Sequence, residues 1–327
     1  MGKQVKTPRF YVDMVTFLHA TGQLGWDSDN GGAELLYMNC ANPYFGTSFQ
    51  IGANSNIKTS FPINFVGLLN HNLAGTDLII NGNDAQITPT DSVINYDNLS
   101  TITYNGTSIF SFTEDNEVWE KFTITIDDTT QYQLGSFVVG KYFDCPHTPD
   151  LNLTMSRRFD GIKRQKTVGG KTLANIYYDG PTEWTMNNAD GTTYKYPPFE
   201  LDTTDSSQFD QRVKSGIGRK GLRSWKLTFS YITESDMWID NEVSNTLISD
   251  GESTPENNDP NPMLSDNSFN FVWNCTLGGT LPFIFTDDKD SNEPDRYAIC
   301  NFRENSLSVQ QVAFNTYKVS MTIDEIA

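Results

Sequence analysis

The sequence predicts an all-β protein with minor helix, and three observations carry that expectation. Aromatic residues make up 13% of the chain, among many Thr, Asn, Asp and Gly, a composition that suits strands and turns better than helices. The hydrophobic share of 37% is low, yet the apolar residues gather in short alternating runs bounded by turn residues, which argues against disorder. At 327 residues the chain is long enough for two cores of ordinary size.

Strands are expected at Arg9 to Val15, Ser48 to Ile51, Asn64 to Leu69, Leu78 to Asn81, Ser108 to Phe112, Phe122 to Ile126 and Phe137 to Tyr142. Clusters of Gly, Asn and Asp separate them, as a sandwich requires. Within Trp119 to Ile126, Phe122, Ile124 and Ile126 share a face opposite Thr123 and Thr125, the pattern of a half-buried outer strand. Proline marks a division between Pro146 and Pro149. The organisation expected is an N-terminal arm and first strand over 1–39, a β-sandwich domain over 40–146 and a second β domain over 147–327.

The texture changes after Pro149. Ile162 to Thr167 and Lys171 to Tyr178 flank Val168-Gly-Gly-Lys171, in which both glycines can take positive φ, so a long hairpin is expected. In Ser224 to Ile232, Trp225, Leu227, Phe229 and Tyr231 fall on one face. Thr233-Glu-Ser-Asp opens an expected helix with Ile239, Val243 and Leu247 on one stripe, which would lie across a sheet. Gly251 to Pro262 is a loop, and Phe269 to Trp273, Leu281 to Phe285, Tyr297 to Phe302 and Gln311 to Ile323 complete the second domain as strands. Met1 to Thr7 has the look of a free arm able to reach a neighbour.

Net charge is −18 with a pI near 4.4, which disfavours nucleic-acid binding through the general field. Cys40, Cys145, Cys275 and Cys300 are widely spaced, and four buried reduced thiols fit better than a disulfide framework or a zinc site. The N-terminus lacks an apolar signal core and no stretch approaches the length of a membrane span, so synthesis in a reducing cytoplasm is expected.

Positive charge is concentrated. Of the 23 Lys and Arg, six lie between Arg157 and Lys171 (Arg157, Arg158, Lys163, Arg164, Lys166, Lys171) and six between Arg212 and Lys226. The second window interleaves Arg212, Lys214, Arg219, Lys220 and Arg223 with Gly216, Gly218 and Gly221. Three uses are open: guarding a hairpin edge against aggregation, docking on an acidic face of a neighbouring subunit, or following phosphates of DNA. The overall charge weighs against the last.

Candidates for chemistry are few. His19, His71 and His147 have no Cys or acidic partner at ligand spacing. Asn70, His71 and Asn72 offer donors and acceptors to sugar hydroxyls, or alternatively cap the sandwich and satisfy backbone. Asp287 to Asp295 opens like a calcium loop, with Asp288, Asp290 and Asn292 at alternate positions, but lacks the required Gly and Glu, so a solvated turn is expected. No serine nucleophile elbow, dinucleotide fingerprint or distinctive carboxylate pair is present, and neither a catalytic residue nor a cofactor is expected.

Ile63-Asn-Phe-Val-Gly-Leu-Leu-Asn-His-Asn-Leu, with Trp119-Glu-Lys-Phe-Thr-Ile-Thr-Ile and Leu134-Gly-Ser-Phe-Val-Val-Gly-Lys-Tyr-Phe, resembles the discoidin-like, galactose-binding jelly rolls of tailed-phage virion proteins over Cys40 to Asp144. The second half is similar to distal tail or tail-tube-like phage proteins. The features that carry this are the hairpin ending Tyr177-Tyr-Asp-Gly180, the Trp225-Lys-Leu-Thr-Phe-Ser-Tyr231 strand, Gly278-Gly-Thr-Leu-Pro-Phe-Ile-Phe285 and Val312-Ala-Phe-Asn-Thr-Tyr-Lys-Val-Ser-Met321. The order of the two domains is the reverse of the usual one in distal tail proteins. The resemblance implies a jelly roll followed by a tail-tube-like β-sandwich with a long hairpin and one covering helix. It further implies a virion structural component of a tail tip, baseplate or tail adaptor that forms a ring and docks other tail proteins. The alternative expectation is a carbohydrate-binding protein that grips a host glycan through the N-terminal sandwich.

Overall fold

The computed structural model describes residues 4–22, 24–27, 35–38, 44–46, 49–55, 61–71, 78–82, 85–87, 91–94, 106–111, 118–119, 121–126, 132–158, 162–176, 185–187, 193–195, 222–239, 267–291 and 296–326. In chain order the first half holds β1 (Arg9–Asp13), α1 (Met14–Ala20), β2 (Leu24–Asp27), β3 (Tyr44–Gly46), β4 (Phe49–Ser55), β5 (Phe61–Pro62), β6 (Phe65–His71) and β7 (Leu78–Gly82). It continues with β8 (Ala85–Ile87), β9 (Asp91–Ile94), β10 (Gly106–Ser111), β11 (Val118–Trp119), β12 (Lys121–Ile126) and β13 (Tyr132–Asp144). The second half holds β14 (Thr154–Arg158), β15 (Ile162–Lys166), β16 (Thr172–Ile176), β17 (Thr185–Asn187), β18 (Thr193–Lys195), β19 (Leu222–Thr233) and α2 (Glu234–Met237). It closes with α3 (Phe269–Cys275), β20 (Phe283–Thr286), β21 (Tyr297–Phe302), β22 (Ser308–Ala313) and β23 (Thr316–Glu325). The protein is all-β with minor helix.

One long sheet dominates, in the order β14-β19-β23-β21-β20-β1-β13-β6-β10-β9, with β22 paired to β23 and β3 to β13. A second, five-stranded sheet runs β2-β4-β12-β7-β8. The expected alternation of β12 falls on side chains outside the described residues. Strand β1 lies between the halves, with Phe10 opposite Phe143 on β13 and opposite Phe285 on β20. The sheet therefore runs across the boundary marked by Pro146 and Pro149.

The core crosses it too. A single buried cluster includes Phe10, Val66, Phe137, Trp225, Phe229, Phe285 and Val319. The Phe10 ring lies 5.5 Å from Phe283, 5.3 Å from Phe285 and 6.3 Å from Phe143. Each such side chain contributes roughly 1.5–3 kcal/mol when fully buried, so an N-terminal strand locks the C-terminal half by packing as well as by its ladder. Gly140 makes the close approach of β13 to β1 possible: a Cβ there would sit 2.0 Å from the Val12 carbonyl oxygen.

Three elements differ from expectation. The first strand stops at Asp13, whose carboxylate accepts from the Val15 amide at 3.0 Å and caps α1. Phe269 to Trp273, expected as a strand, is the start of α3. Ser268 caps it, accepting from the Phe271 amide at 3.2 Å, and Gly278 and Gly279, both at positive φ, follow its end. A short apolar run does not reveal its own period, and here the cap decides. The helix opening at Thr233 is capped as expected but lasts a single turn, because Trp238 is already extended. Ile239 is buried, while Val243 and Leu247 lie outside the described residues. Helices α1 and α2 bury Met14, Val15, Leu18 and Met237 in the core, and α3 sets Phe269 against Phe143 and Phe229.

Two hairpins and a bulge shape the C-terminal half. The expected hairpin is β15–β16, but only Gly170 has positive φ; Gly170 donates to the Thr167 carbonyl and Thr167 to the Lys171 carbonyl. This is a three-residue loop with the αL residue at its end, not the two-glycine turn. Gln311 to Ile323, expected as one strand, folds back on itself through Phe314-Asn315, with Ala313 opposite Thr316. In β19 the register shifts between Phe229 and Ile232. Tyr231, at φ 64, is 80% exposed, and Ile232 takes the core position expected for it.

Candidate assembly surface

The first basic window divides between an edge strand and a ribbon. All five residues of β14 are exposed, including Arg157 and Arg158. As the end of the long sheet, β14 has one edge unpaired among the described residues. Strands β15 and β16 pair with each other, and no other described element packs extensively on them. Arg164, Lys166 and Lys171 are exposed, as are Val168 and Leu173. Arg164 and Lys166, two residues apart on β15, share one face of the ribbon, which therefore carries positive charge. A solitary two-stranded ribbon is marginally stable in water, and contact with something else would hold it.

Of the second window, Arg223 and the exposed Lys226 fall within the described residues. Arg212, Lys214, Arg219 and Lys220 lie outside the described residues. Arg223 is buried: its Nε donates to Glu325 at 3.1 Å, its Nη2 to the Tyr297 carbonyl, and its guanidinium stacks 4.9 Å from the Trp225 ring centre. The cause is period. Arg223 is two residues before Trp225 and shares its core face, so the alternation through Trp225, Leu227 and Phe229, carried one step back, would have found it.

A second open edge lies on β22. Its residues Ser308 to Ala313 carry no charge, five of the six are exposed, and only its pairing with β23 is present among the described residues. Val312 and Phe314 are exposed, Phe314 at 89%. Natural edge strands are usually guarded by charge, a bulge or a cover. Along β23, strand β21 takes the stretch near Glu325 and β22 the stretch near Val319. Glu304 bridges the change, its carboxylate accepting from the Thr322 amide at 3.1 Å and the Thr322 hydroxyl at 2.8 Å.

Two further expectations change. Gln4 to Thr7 are not a free arm: the Lys6 amide donates to the Asp287 carbonyl, the Lys289 amide to the Thr7 carbonyl, and Val5 is buried. Nor are Asp287 and Asp288 part of a solvated turn. They are 3% and 1% exposed, with Arg296 2.9 Å from Asp287 and Lys6 2.9 Å from Asp288. Burial pushes the Asp287 carboxyl up, against the opposing pull of Arg296. The cations that neutralise this pair come from the N-terminus and from Arg296, so local sequence gave no signal of it. Among the described residues no group of His, Cys, Asp and Glu is placed to hold a metal ion.

His71 ends β6 and is 1% exposed, opposite Leu134 and Gly106. Its imidazole is withdrawn from any sugar in solvent; the Asn70 side chain and all of Asn72 lie outside the described residues. Cys145, Cys275 and Cys300 are buried, and burial pushes the thiols of Cys145 and Cys275 up and away from reactivity. Cys40 lies outside the described residues. Among those residues no helix is long and apolar enough to cross a membrane. No protein family, curated protein or solved structure matches this chain.

Proposed function

We propose that this chain is a structural subunit that assembles head to tail into a closed ring, at the tail tip, baseplate or tail adaptor of a phage virion, and docks neighbouring tail proteins there. The observation that carries the ring is that two edges of one sheet, on β14 and on β22, are open among the described residues. Strands β14, β19, β23 and β22 alternate in direction, so the free edge of β22 could receive β14 of a second copy and continue the antiparallel order.

The stagger fits closure. Ser156 lies level with Ser224 and Asp324, whereas Gln310 lies level with Lys318. The offset along β23 is six residues, or roughly 20 Å at ~3.3 Å per residue. Four strands at ~4.8 Å span roughly 19 Å, so the strands would run at about 46° to the ring axis, close to the tilt of closed barrels. The phage assignment rests on the resemblance of the sequence segments alone.

The β15–β16 ribbon supplies the second contact. It carries exposed Arg164, Lys166 and Lys171 on a chain of net charge −18, and an acidic face of a neighbour would hold it. Electron microscopy of the purified protein at low salt is expected to show closed rings. The variant Lys163→Gln/Arg164→Gln/Lys166→Gln should assemble less, with the gap narrowing at high salt as wild-type contacts are screened. A wild-type protein that stays monomeric at every salt concentration would remove the proposal.

A further inference from the structure

Four large apolar side chains that are exposed among the described residues flank the two open edges of the long sheet. Leu151, 94% exposed, sits in the turn that leads into β14, and Met155 lies on β14 itself. Val312 lies near the end of β22, and Phe314 at the tip of the hairpin to β23. A single exposed apolar residue is ordinary, but a pair on each of two edges that a second copy would join marks a contact. Both pairs are held in place beforehand. The Asp150 amide donates to the Thr228 carbonyl at 2.8 Å, the Ser230 hydroxyl to the Asp150 carboxylate at 2.7 Å and the Leu153 amide to the Asp150 carbonyl at 3.2 Å, so the turn that carries Leu151 is pinned to β19. On the other edge Ala313 lies opposite Thr316, whose hydroxyl donates to the Phe314 carbonyl at 3.2 Å, and Asn315 takes the positive φ within the turn.

The faces of the sheet restrict how the edges can meet. Ser156 shares a face with Ser224 and Asp324, and Gln310 shares one with Lys318. Asp324 and Lys318 are an even number of residues apart on β23, so all five lie on the same face. A strand that continues a sheet keeps its faces, and a slip of one residue would turn every side chain of β14 to the wrong one. Gln310 of one copy opposite Ser156 of the next satisfies this. In that antiparallel register Gln311 falls opposite Met155, with Val312 beside it as the residue left over where β22 shifts against β23. The hairpin tip with Phe314 then reaches the 150–153 turn and its Leu151.

We propose that Phe314 and Val312 of one copy pack on Leu151 and Met155 of the next, and that this apolar contact fixes the register of β22 on β14. The inference rests on the ring proposed above and supplies the residues of its joint. Phe314, the largest of the four and exposed on a fixed tip, provides most of the contact. The contact is uncharged, so salt does not screen it as it screens that of the ribbon.

The test is Leu151→Cys/Phe314→Cys in the full chain, oxidised after assembly and run on a non-reducing gel beside wild type and each single variant. Within one chain the two positions flank opposite edges of four strands, roughly 14 Å apart across them at ~4.8 Å per strand. A disulfide allows only ~3.5–4.5 Å between Cβ atoms, so the bond must join two copies. The double variant should give a ladder of covalent multimers that neither single variant gives. Phe314→Ser should keep the wild-type unfolding transition while raising the concentration at which rings appear by about tenfold, equally at ~0.05 and ~0.5 M salt. Wild-type rings with a ladder in the double variant no stronger than in the single ones, or Phe314→Ser assembling like wild type, would overturn the inference and leave the ring standing. Wild-type protein that stays monomeric would overturn the ring, and the inference with it.

Discussion

Arg223 and Glu325 form a buried ion pair in which one carboxylate oxygen accepts from both the backbone amide of Arg223, at 2.8 Å, and its Nε, at 3.1 Å. The side chains are 7% and 0% exposed. The pair ties the start of β19 to the end of β23, and a donation from Arg223 to the Tyr297 carbonyl adds β21. Removing one partner leaves the other charged and buried, which costs about 3–5 kcal/mol, whereas replacing both by apolar groups is often neutral. Arg223→Met should therefore unfold at markedly lower urea concentration than wild type. Arg223→Met/Glu325→Leu should recover most of the loss, and an additive double variant would refute the coupling.

Asp13 gives a pH dependence with a definite sign. Burial pushes its carboxyl up to about 6, opposed by hydrogen bonds from Thr16 and from backbone amides including that of Val15. The folded state thus binds the proton more tightly than the unfolded state, whose carboxyl titrates near the ordinary value of about 3.9. The stabilisation this gives is fully present below pH ~4 and is lost as pH rises to ~6, by on the order of 3 kcal/mol. Asparagine caps a helix equally well and does not titrate. The stability of Asp13→Asn relative to wild type should then improve between pH ~4 and ~7 by up to that amount in urea titrations. A constant difference across this window would show that Asp13 is not held protonated.

Tyr231 has a left-handed backbone and a side chain that is 80% exposed. Its conformation is imposed by the bulge that puts Ile232 in the core, and the ring itself contributes little burial. Asn tolerates this region while β-branched residues do not. Tyr231→Asn should be near neutral, and Tyr231→Val should cost about 1–2 kcal/mol by urea denaturation. Equal costs would mean that the exposed ring, and not the backbone, matters at this position.

Strands with clean alternation or clear turn boundaries were legible in the sequence, as β21 shows, where the expected range Tyr297 to Phe302 matches the strand end to end. What was hidden depends on partners distant in the chain. Phe269 to Trp273 has no distinguishing period of its own, and the helix follows from the Ser268 cap and the surface that Phe143 and Phe229 provide. Asp287 and Asp288 are polar residues made buriable by Lys6 and Arg296. In the candidate surface, the exposed cations of β14 and of the ribbon could be picked out by charge clustering. The β22 edge could not, because an uncharged strand shows its exposure only once its neighbours are known.

The proposed seam between β22 and β14 makes a charge-specific prediction. Antiparallel continuation would bring Ser308, at the start of β22, near Arg157 and Arg158, at the end of β14 in the next copy. Ser308 is exposed and, among the described residues, pairs only with Ser320 on its own β23, so replacing it leaves the core untouched. Like charges directly opposite across strands are destabilising and opposite charges favourable, by roughly 0.2–1 kcal/mol per pair. A ring repeats its seam, so a small effect is multiplied around it. Ser308→Lys should raise the protein concentration at which rings appear in analytical ultracentrifugation, and Ser308→Glu should lower it. Both shifts should shrink as salt rises from ~0.05 to ~0.5 M. If both variants shift assembly the same way, the edges do not meet in this order. If neither shifts it while the ribbon variant does, the ribbon forms the contact and β22 faces something else.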